Sequence, residues 1–340
     1  MIDWVTALLP CTHEKKITDG WVAAIKPNGE PEWVIDKRKF VPGSHESNIS
    51  VRSRSLNYLQ IDGNPSKWLQ GHNLFGSDDL VGLVAETMAR LVRSLELSPT
   101  GDDLRAWHSG EYELSRVDCT AMWELPRRAD VRAWLRGAAP QSRSRHGRAI
   151  MTGSTLYFGK RSRRWALKFY SKGDELESRD KGHGLPETIP DRDKLSKWAD
   201  NKLRGELTLR GMQLKKLGLQ QASSWHADLP ISLLLDYIGT LQMPEQFRLT
   251  PVMLEGLPAR LVAVYKLWLE GEDLRAIYPR ATFYRYRAGL LKFGVDISIR
   301  QPSKPDNVIP LVRVLRPEAI VQVPEWAIGT PLYFEPRKLG

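Results

Sequence analysis

Arg164-Trp165-Ala166-Leu167-Lys168-Phe169-Tyr170-Ser171-Lys172 alternates between two kinds of side chain. In an extended chain Trp165, Leu167 and Phe169 fall on one side, and Lys168, Tyr170 and Lys172 on the other. A period of two belongs to a strand with one face on a core. The preceding Thr155-Leu156-Tyr157-Phe158-Gly159 reads as its hairpin partner, across a basic turn carrying Lys160, Arg161, Arg163 and Arg164. Two more segments repeat the pattern. In Leu203 to Arg210, Leu203, Leu207 and Leu209 oppose Arg204, Glu206, Thr208 and Arg210; near Asp118, Arg116 and Asp118 oppose Val117 and Cys119. Three such strands predict an antiparallel sheet with one ionisable face.

Outward from this sheet, Trp4 to Pro10 reads as a buried strand, and Asn57 to Ile61 as a strand closed by the turn cluster Asp62-Gly63-Asn64-Pro65. A helix follows, with Ser77 as its cap, Asp78 and Asp79 at its positive end, and Leu80, Leu83, Val84, Met88, Leu91 and Leu95 as its stripe; Pro99 is read as its stop. Glu111 to Glu124 is a strand, and Ala129 to Ala138 a short helix with Val131, Trp134 and Leu135 inward. No regular βαβ beat appears, so the fold class is α+β. After Gly218 the chain turns helical, which suggests two domains, 1–218 and 219–340. Leu261, Val264, Tyr265 and Trp268 mark one helix; Leu274 and Ile277 mark a second. Thr282 is read as the cap of a third, with Phe283, Tyr286, Leu290 and Phe293 inward and Gly294 as its stop. Such a trio reads as a helix-turn-helix-like unit whose Tyr284, Arg285 and Lys292 face DNA, or equally as a small bundle with a solvated basic face.

Lys and Arg number 50 against 40 Asp and Glu, a net charge of +10 over 340 residues. Nine of those cations lie between Gln141 and Gly173, a span without Asp or Glu. The surplus favours a polyanionic partner, nucleic acid or an anionic membrane face. Two cysteines, Cys11 and Cys119, exclude a disulfide scaffold and a Cys-based zinc site. No apolar run reaches the ~18 residues of a membrane span. Asp3 stands where a secretory leader needs a basic start, so a cytoplasmic protein is expected. Nucleotide hydrolysis and serine hydrolase chemistry find no Walker loop and no Gly-x-Ser-x-Gly here.

If the three strands are neighbours, their polar face combines two carboxylates (Asp118, Glu206), a phenol (Tyr170) and several cations. Such a set suits phosphodiester chemistry. Paired carboxylates can hold Mg²⁺ or Mn²⁺, and the ion offsets charge on a phosphate oxygen. A phenol of pKa ~10 needs a neighbour such as Lys172, or a metal, to become phenolate at neutral pH. The alternative is an outer sheet face that is merely solvated. His72, in a loop ahead of the capped helix, is either a ligand or the brace of a turn.

The motifs in order resemble the filamentous-phage gene II replication initiators, also called phage/plasmid replication protein II/X. The matching pieces are Met1-Ile2-Asp3; Leu69-Gln70-Gly71-His72-Asn73-Leu74-Phe75-Gly76 with Asp79-Leu80; and Ser115-Arg116-Val117-Asp118. Further along come Tyr170, Lys172 and Glu175-Leu176; Arg204 and Glu206 with Lys216 and Gly218-Leu219; and Val308-Ile309-Pro310-Leu311-Val312-Arg313. Residues 12–54 and 178–200 match poorly. The resemblance implies an antiparallel-sheet nuclease domain of the rolling-circle initiator type. Its activity would be nicking the plus strand of double-stranded replicative-form DNA at the origin, with host helicase and polymerase extending the 3′-OH and the displaced strand later closed into a circle. It makes Tyr170 the nucleophile of a phosphotyrosine intermediate, with Lys172 stabilising phenolate or phosphate. Asp118 and Glu206, then His72 and Glu175, become the metal-ligand candidates for Mg²⁺ or Mn²⁺. Arg116, Lys160, Arg161, Arg163, Arg164, Lys168 and Arg204 would hold DNA backbone. The His-hydrophobic-His pair of many rolling-circle nucleases is absent, and closing the circle needs a second attack, by another subunit's Tyr170 or by Tyr157. Two other readings compete: a non-catalytic helix-turn-helix regulator of phage replication, and a conjugative relaxase.

Overall fold

The structure is a computed structural model and describes residues 1–340 except 146, 179–183, 243–256, 294, 299–313 and 337–340; the side chains of 140 and 141 are likewise left aside. In chain order the strands are β1 (Ile2–Pro10), β2 (Trp21–Ile25), β3 (Pro31–Asp36), β4 (Lys39–Pro42), β5 (Asn48–Ser55), β6 (Tyr58–Gly63), β7 (Glu113–Glu124), β8 (Arg143–Ser144), β9 (Gly147–Arg148), β10 (Ile150–Thr152), β11 (Thr155–Phe158), β12 (Trp165–Ser171) and β13 (Lys202–Arg210). Nine of them pair antiparallel in one sheet, in the order β10-β11-β12-β13-β7-β1-β6-β5-β4. The α+β expectation holds, and the three polar-faced strands lie together as β12, β13 and β7.

One face of this sheet carries the main core. Val5, Val117, Cys119, Leu167, Phe169, Leu207 and Leu209 all belong to it. Against them pack α1 (Pro65–Gln70), α2 (Leu80–Leu95), α3 (Gly101–Ser109) and α4 (Arg128–Gln141). After α5 (Lys172–Leu176), α6 (Arg192–Ala199) and α7 (Gly211–Leu217), α8 (Leu229–Gly239) returns to the same core through Leu233 and Leu234. A second apolar cluster roofs the opposite, polar face near β12 and β13: Leu74, Phe75, Leu195, Ala199, Ala327 and Leu332, with Trp326 packed beside them. The chain's last described segment takes part in it. Val321 N–H donates to the Met122 carbonyl at 2.8 Å, and Phe334 N–H to Gln70 Oε1 at 2.8 Å. The helical region has its own core of Leu261, Val264, Tyr265, Trp268, Phe283 and Leu290 on helices Ala259–Leu269, Leu274–Ile277 and Arg280–Leu291.

Helix boundaries differ from the sequence reading in four places, one of them α4, which runs Arg128–Gln141 rather than Ala129 to Ala138. Asp79, not Ser77, caps α2, its Oδ1 accepting the Gly82 N–H at 2.8 Å; Ser77 instead accepts the Asp79 N–H at 3.0 Å. The same helix ends at Leu95, with Glu96 left-handed at φ 53°, and Pro99 instead precedes α3, which Thr100 caps. The third C-terminal helix starts at Arg280 behind Pro279, two residues before Thr282, because the proline at its entry needs no amide partner. Gly294 and Val308 to Arg313 lie outside the described residues.

Gly205, on the core side of β13, leaves no room for a side chain. A Cβ there would meet Trp123 Cζ3 at 2.9 Å and Phe169 Cε1 at 3.0 Å. Gly205→Ala is therefore expected to cost about 1–3 kcal/mol through overpacking, read as a lower denaturant midpoint with an unchanged m-value.

Candidate active site

Tyr170 is placed by a strand that turns straight into a helix. Ser171 closes β12 and caps α5, its side chain accepting the Asp174 N–H at 3.2 Å, so Lys172 becomes the first residue of that helix. Sheet register then sets the neighbours. Tyr170 stands opposite Arg204, and Lys168 opposite Glu206. Asp3 arrives through an irregularity: β1 pairs Ile2 with Cys119 and Trp4 with Asp118, leaving Asp3 as the extra residue of a bulge. Bulges re-aim side chains, and this one carries Asp3 to Arg204.

The result is a continuous polar network. Tyr170 Oη donates to Glu206 Oε2 at 3.3 Å, and Lys168 Nζ sits 2.6 Å from Glu206 Oε1 and 5.3 Å from the Tyr170 ring centroid. Arg204 Nη2 donates to Asp3 Oδ1 at 2.7 Å and Arg204 Nη1 to the Asn73 carbonyl at 2.5 Å. Lys172 Nζ donates to Asn73 Oδ1 at 3.0 Å and pairs with Glu175. Asn64 and Asn73 each donate an amide N–H to Asp3, at 2.7 and 3.0 Å. Arg204 is 0% exposed and Tyr170 5%. The solvated-face alternative therefore fails at this end of the sheet, where the roof excludes water.

Burial sets the protonation pattern. It raises the Tyr170 phenol well above its ordinary value, with Arg204 pulling the other way. It lifts Glu206 to about 7 against the pull of Lys168, with Asp3 and Asp118 adding repulsion. The Lys172 ammonium is pushed down by burial although Glu175 supports it. For Asp3 burial loses: Arg204, Lys172 and Lys168 keep its carboxyl below the usual range. A carboxylate near neutrality, bonded to a phenol, is the arrangement of a general base beside its nucleophile.

The N-terminal sequence pattern of the replication-associated gene II proteins matches residues 1–228, and the corresponding C-terminal pattern matches residues 258–335. The chain belongs to this replication-associated protein family. It is 43% identical to the replication-associated gene II protein of Enterobacteria phage I2-2, over 93% of each chain. A solved rolling circle replication initiator protein from Geobacillus stearothermophilus aligns with a TM-score of 0.31 at 13% identity, over 72% of this chain and 86% of that one.

Of the other residues singled out in this gene II family member, Asp118 is 1% exposed and held by both arms of Arg116, at 2.9 and 2.6 Å. It lies on the same face as Glu206, one strand over and two residues along. His72 is buried and held neutral, burial driving its imidazole down to about 4. Its Nδ1 accepts the Leu74 N–H at 3.2 Å, which braces the loop carrying Asn73. Lys160, Arg161 and Arg163 sit exposed on the β11–β12 turn, with Arg164 half-buried beside them. Lys168 and Arg204 lie inside the network rather than on the outer surface. Tyr284 and Arg285 are exposed, and Lys292 follows them at the end of the helix; Arg287 of the same helix joins Arg136 of α4 on Asp296, at 2.6 and 2.5 Å.

As placed, the donors do not fit a divalent ion. Asp118, Glu206 and Glu175 are each paired with a cation of the chain, and among the described residues no three His, Cys, Asp or Glu side chains gather closely enough to hold a metal. Asp3, Asn64 and Asn73 are site residues that the strand and helix patterns do not mark. Asp3 and Asn73 do lie in pieces that carry the family resemblance, and Asp3 interrupts the apolar run Ile2–Pro10, but neither signal gives them a role.

Arg204 neutralises a buried carboxylate. Arg204→Gln is expected to destabilise the protein by about 3–5 kcal/mol, because Asp3 stays charged and buried. Adding Asp3→Asn should recover part of that loss in a urea-unfolding cycle.

Proposed function

We propose that this protein is a site-specific DNA nicking and closing endonuclease that initiates rolling-circle replication, with Tyr170 as its nucleophile. One observation carries the reading: the Tyr170 hydroxyl is bonded to Glu206 inside a group of three cations, Lys168, Lys172 and Arg204. Glu206 takes the phenolic proton, and the phenolate oxygen bonds to phosphorus. The bond from phosphorus to the 3′ oxygen breaks, and that oxygen picks up a proton from water. The phosphotyrosine ester conserves the energy of the original bond, so rejoining needs no nucleotide.

Asn73 supports the assignment of the phosphate site. Its two oxygens occupy Arg204 and Lys172 from the loop above. A scissile phosphate presents the same kind of acceptors, with charge added, so it can displace the loop and take both partners. Opening is thus coupled to the arrival of DNA. Mg²⁺ or Mn²⁺ is the ion the carboxylates Asp118 and Glu206 suit by their chemistry. They are free to hold one only after Arg116 and Lys168 have turned to the DNA, so the steps above run through the side chains alone.

Tyr157 is the favoured second nucleophile. It stands directly opposite Lys168 on β11, on the face that carries Tyr170, with Lys160 Nζ 4.7 Å from its ring centroid. The cations of the β11–β12 turn hold backbone, and the helical unit within 219–340 adds Tyr284, Arg285 and Lys292 as its DNA face. Partners are the double-stranded origin, the displaced plus strand and, for the exposed 3′-OH, host helicase and polymerase. No helix among the described residues is long and apolar enough to cross a membrane; the host cytoplasm is the proposed place of action.

Supercoiled origin DNA incubated with the protein and Mg²⁺, then denatured, is expected to carry a covalent adduct that maps to Tyr170 and disappears in Tyr170→Phe. Origin binding without any nick would instead favour the non-catalytic regulator. Tyr157→Phe should form the first adduct yet release few closed circles. Since Glu206 acts as a base, the nicking rate should rise as pH passes upward through about 7. Glu206→Gln should flatten that profile and slow nicking by about 10²–10⁴-fold.

A further inference from the structure

The hairpin β2–β3 has no place in the chemistry described so far, and it has no packing either. None of the residues from Thr18 to Lys37 enters any of the three apolar clusters. A lone two-stranded ribbon is marginal in water, yet this one displays Trp21 at 68% exposure and Trp33 at 47%. The two rings lie on opposite faces. Trp21 pairs with Asp36 and Trp33 with Ala24, so the odd and even positions of β2 each carry one aromatic neighbour. Val22 and Ile35 accompany Trp33, and Val34 and Ile25 accompany Trp21, all of them exposed.

The root of the ribbon is cationic. Arg38, Arg52 and Arg54 crowd together where β3 leads into β4 and β5, close enough that Arg54 and Arg38, after burial, weaken the hold of Arg52 on its proton. Lys39 and Arg54 are exposed. This root is continuous with the polar face of the sheet. Arg38 Nη1 lies 2.5 Å from Asp62, and Asp62 accepts from Trp4 Nε1 and Thr6 Oγ1, at 2.9 and 2.5 Å. From Tyr170 on β12 to Phe40 on β4 the face spans six strand spacings, roughly 29 Å. That is somewhat less than one turn of B-DNA, about 34 Å.

We propose that the β2–β3 ribbon is a second DNA-binding surface that stacks against unpaired bases of the opened origin, one tryptophan toward each separated strand, while Arg54 and its neighbours hold the backbone. A protein partner covering a sheet buries one face; aromatic side chains on both faces suit insertion between two strands. Lys37, Arg38, Lys39, Arg52 and Arg54 against Asp36 and Asp62 favour a polyanion at the root, whereas the ribbon itself, with Asp19, Glu30, Glu32 and Asp36 against Lys26 and Lys37, suits bases rather than phosphates. Base stacking on an aromatic ring tolerates any sequence, so the ribbon opens or holds the duplex and leaves recognition to other surfaces. The inference rests on the origin-nicking reading for the identity of the DNA.

The test uses the full chain with Trp21→Ala and Trp33→Ala together, both exposed, so the fold is left intact. Three measurements decide it: binding of a thymine oligonucleotide, adduct formation on closed duplex origin, and adduct formation on the same origin carrying a preformed bubble. The double variant should bind the oligonucleotide at least about tenfold more weakly. It should form little adduct on closed duplex and form it normally on the bubble. Equal performance of variant and wild type in all three overturns the proposal, as does a wild-type dimer that the substitutions convert to monomer. A wild-type protein that forms no adduct on either substrate ends the nickase reading instead, and the oligonucleotide measurement still judges the ribbon.

Discussion

The buried pair of Arg204 with Asp3 is the constraint around which the site is built. A guanidinium with no exposed surface cannot stand alone, and the carboxylate that reaches its Nη2 comes from an extra residue in β1, with Glu206 farther off at 4.0 Å from its Nε. Once that pair forms, its remaining valences fix the rest. Asp3 accepts from two asparagines, Arg204 binds the Asn73 carbonyl, and Asn73 in turn holds Lys172. The Asn73 end of the loop from Gly71 to Gly76 is therefore fastened to the sheet by charge. Water is kept out above Tyr170, and the low polarity makes each of these interactions stronger.

Four carboxylates and five cations share this face: Asp3, Glu175, Glu206 and Asp118 against Arg204, Lys172, Lys168, Arg116 and the flanking Arg210. Near balance explains how Asp3, Asp118, Glu206, Lys172 and Arg204 can all be buried, while Arg116 and Lys168 keep part of their side chains in solvent. Beyond their carboxylate partners Asp3 and Glu175, Arg204 and Lys172 are both held from above by the uncharged oxygens of Asn73.

The sheet's polar face is legible in the sequence. β7, β12 and β13 show their period of two because each has one apolar face, and that suffices to bring Tyr170, Glu206 and Asp118 to a common surface. Pairing is not legible. Whether Glu206 meets Lys168 or a metal depends on register, which alternation alone leaves open. Asp3 escapes because a bulge breaks the period it would otherwise obey. The roof escapes for another reason: Phe75, Leu195 and Leu332 come from segments far apart in the chain, and no local pattern joins them. The ribbon within residues 12–54 gives no signal either, because apolar groups on both of its faces leave no inside and outside for a pattern to report.

The return of the segment around Val321 and Phe334 to the sheet has a bearing on how the protein comes into being. Tyr170, Glu206 and the basic turn leave the ribosome well before the residues that bind Met122 and Gln70. An unfinished chain thus has Asn73 already tied to Arg204 and Lys172, while the Gln70 end of the loop still lacks Phe334 and the cover lacks Leu332. Only with the last part of the chain synthesised are the Gln70 end of that loop and the Met122 end of β7 both covered.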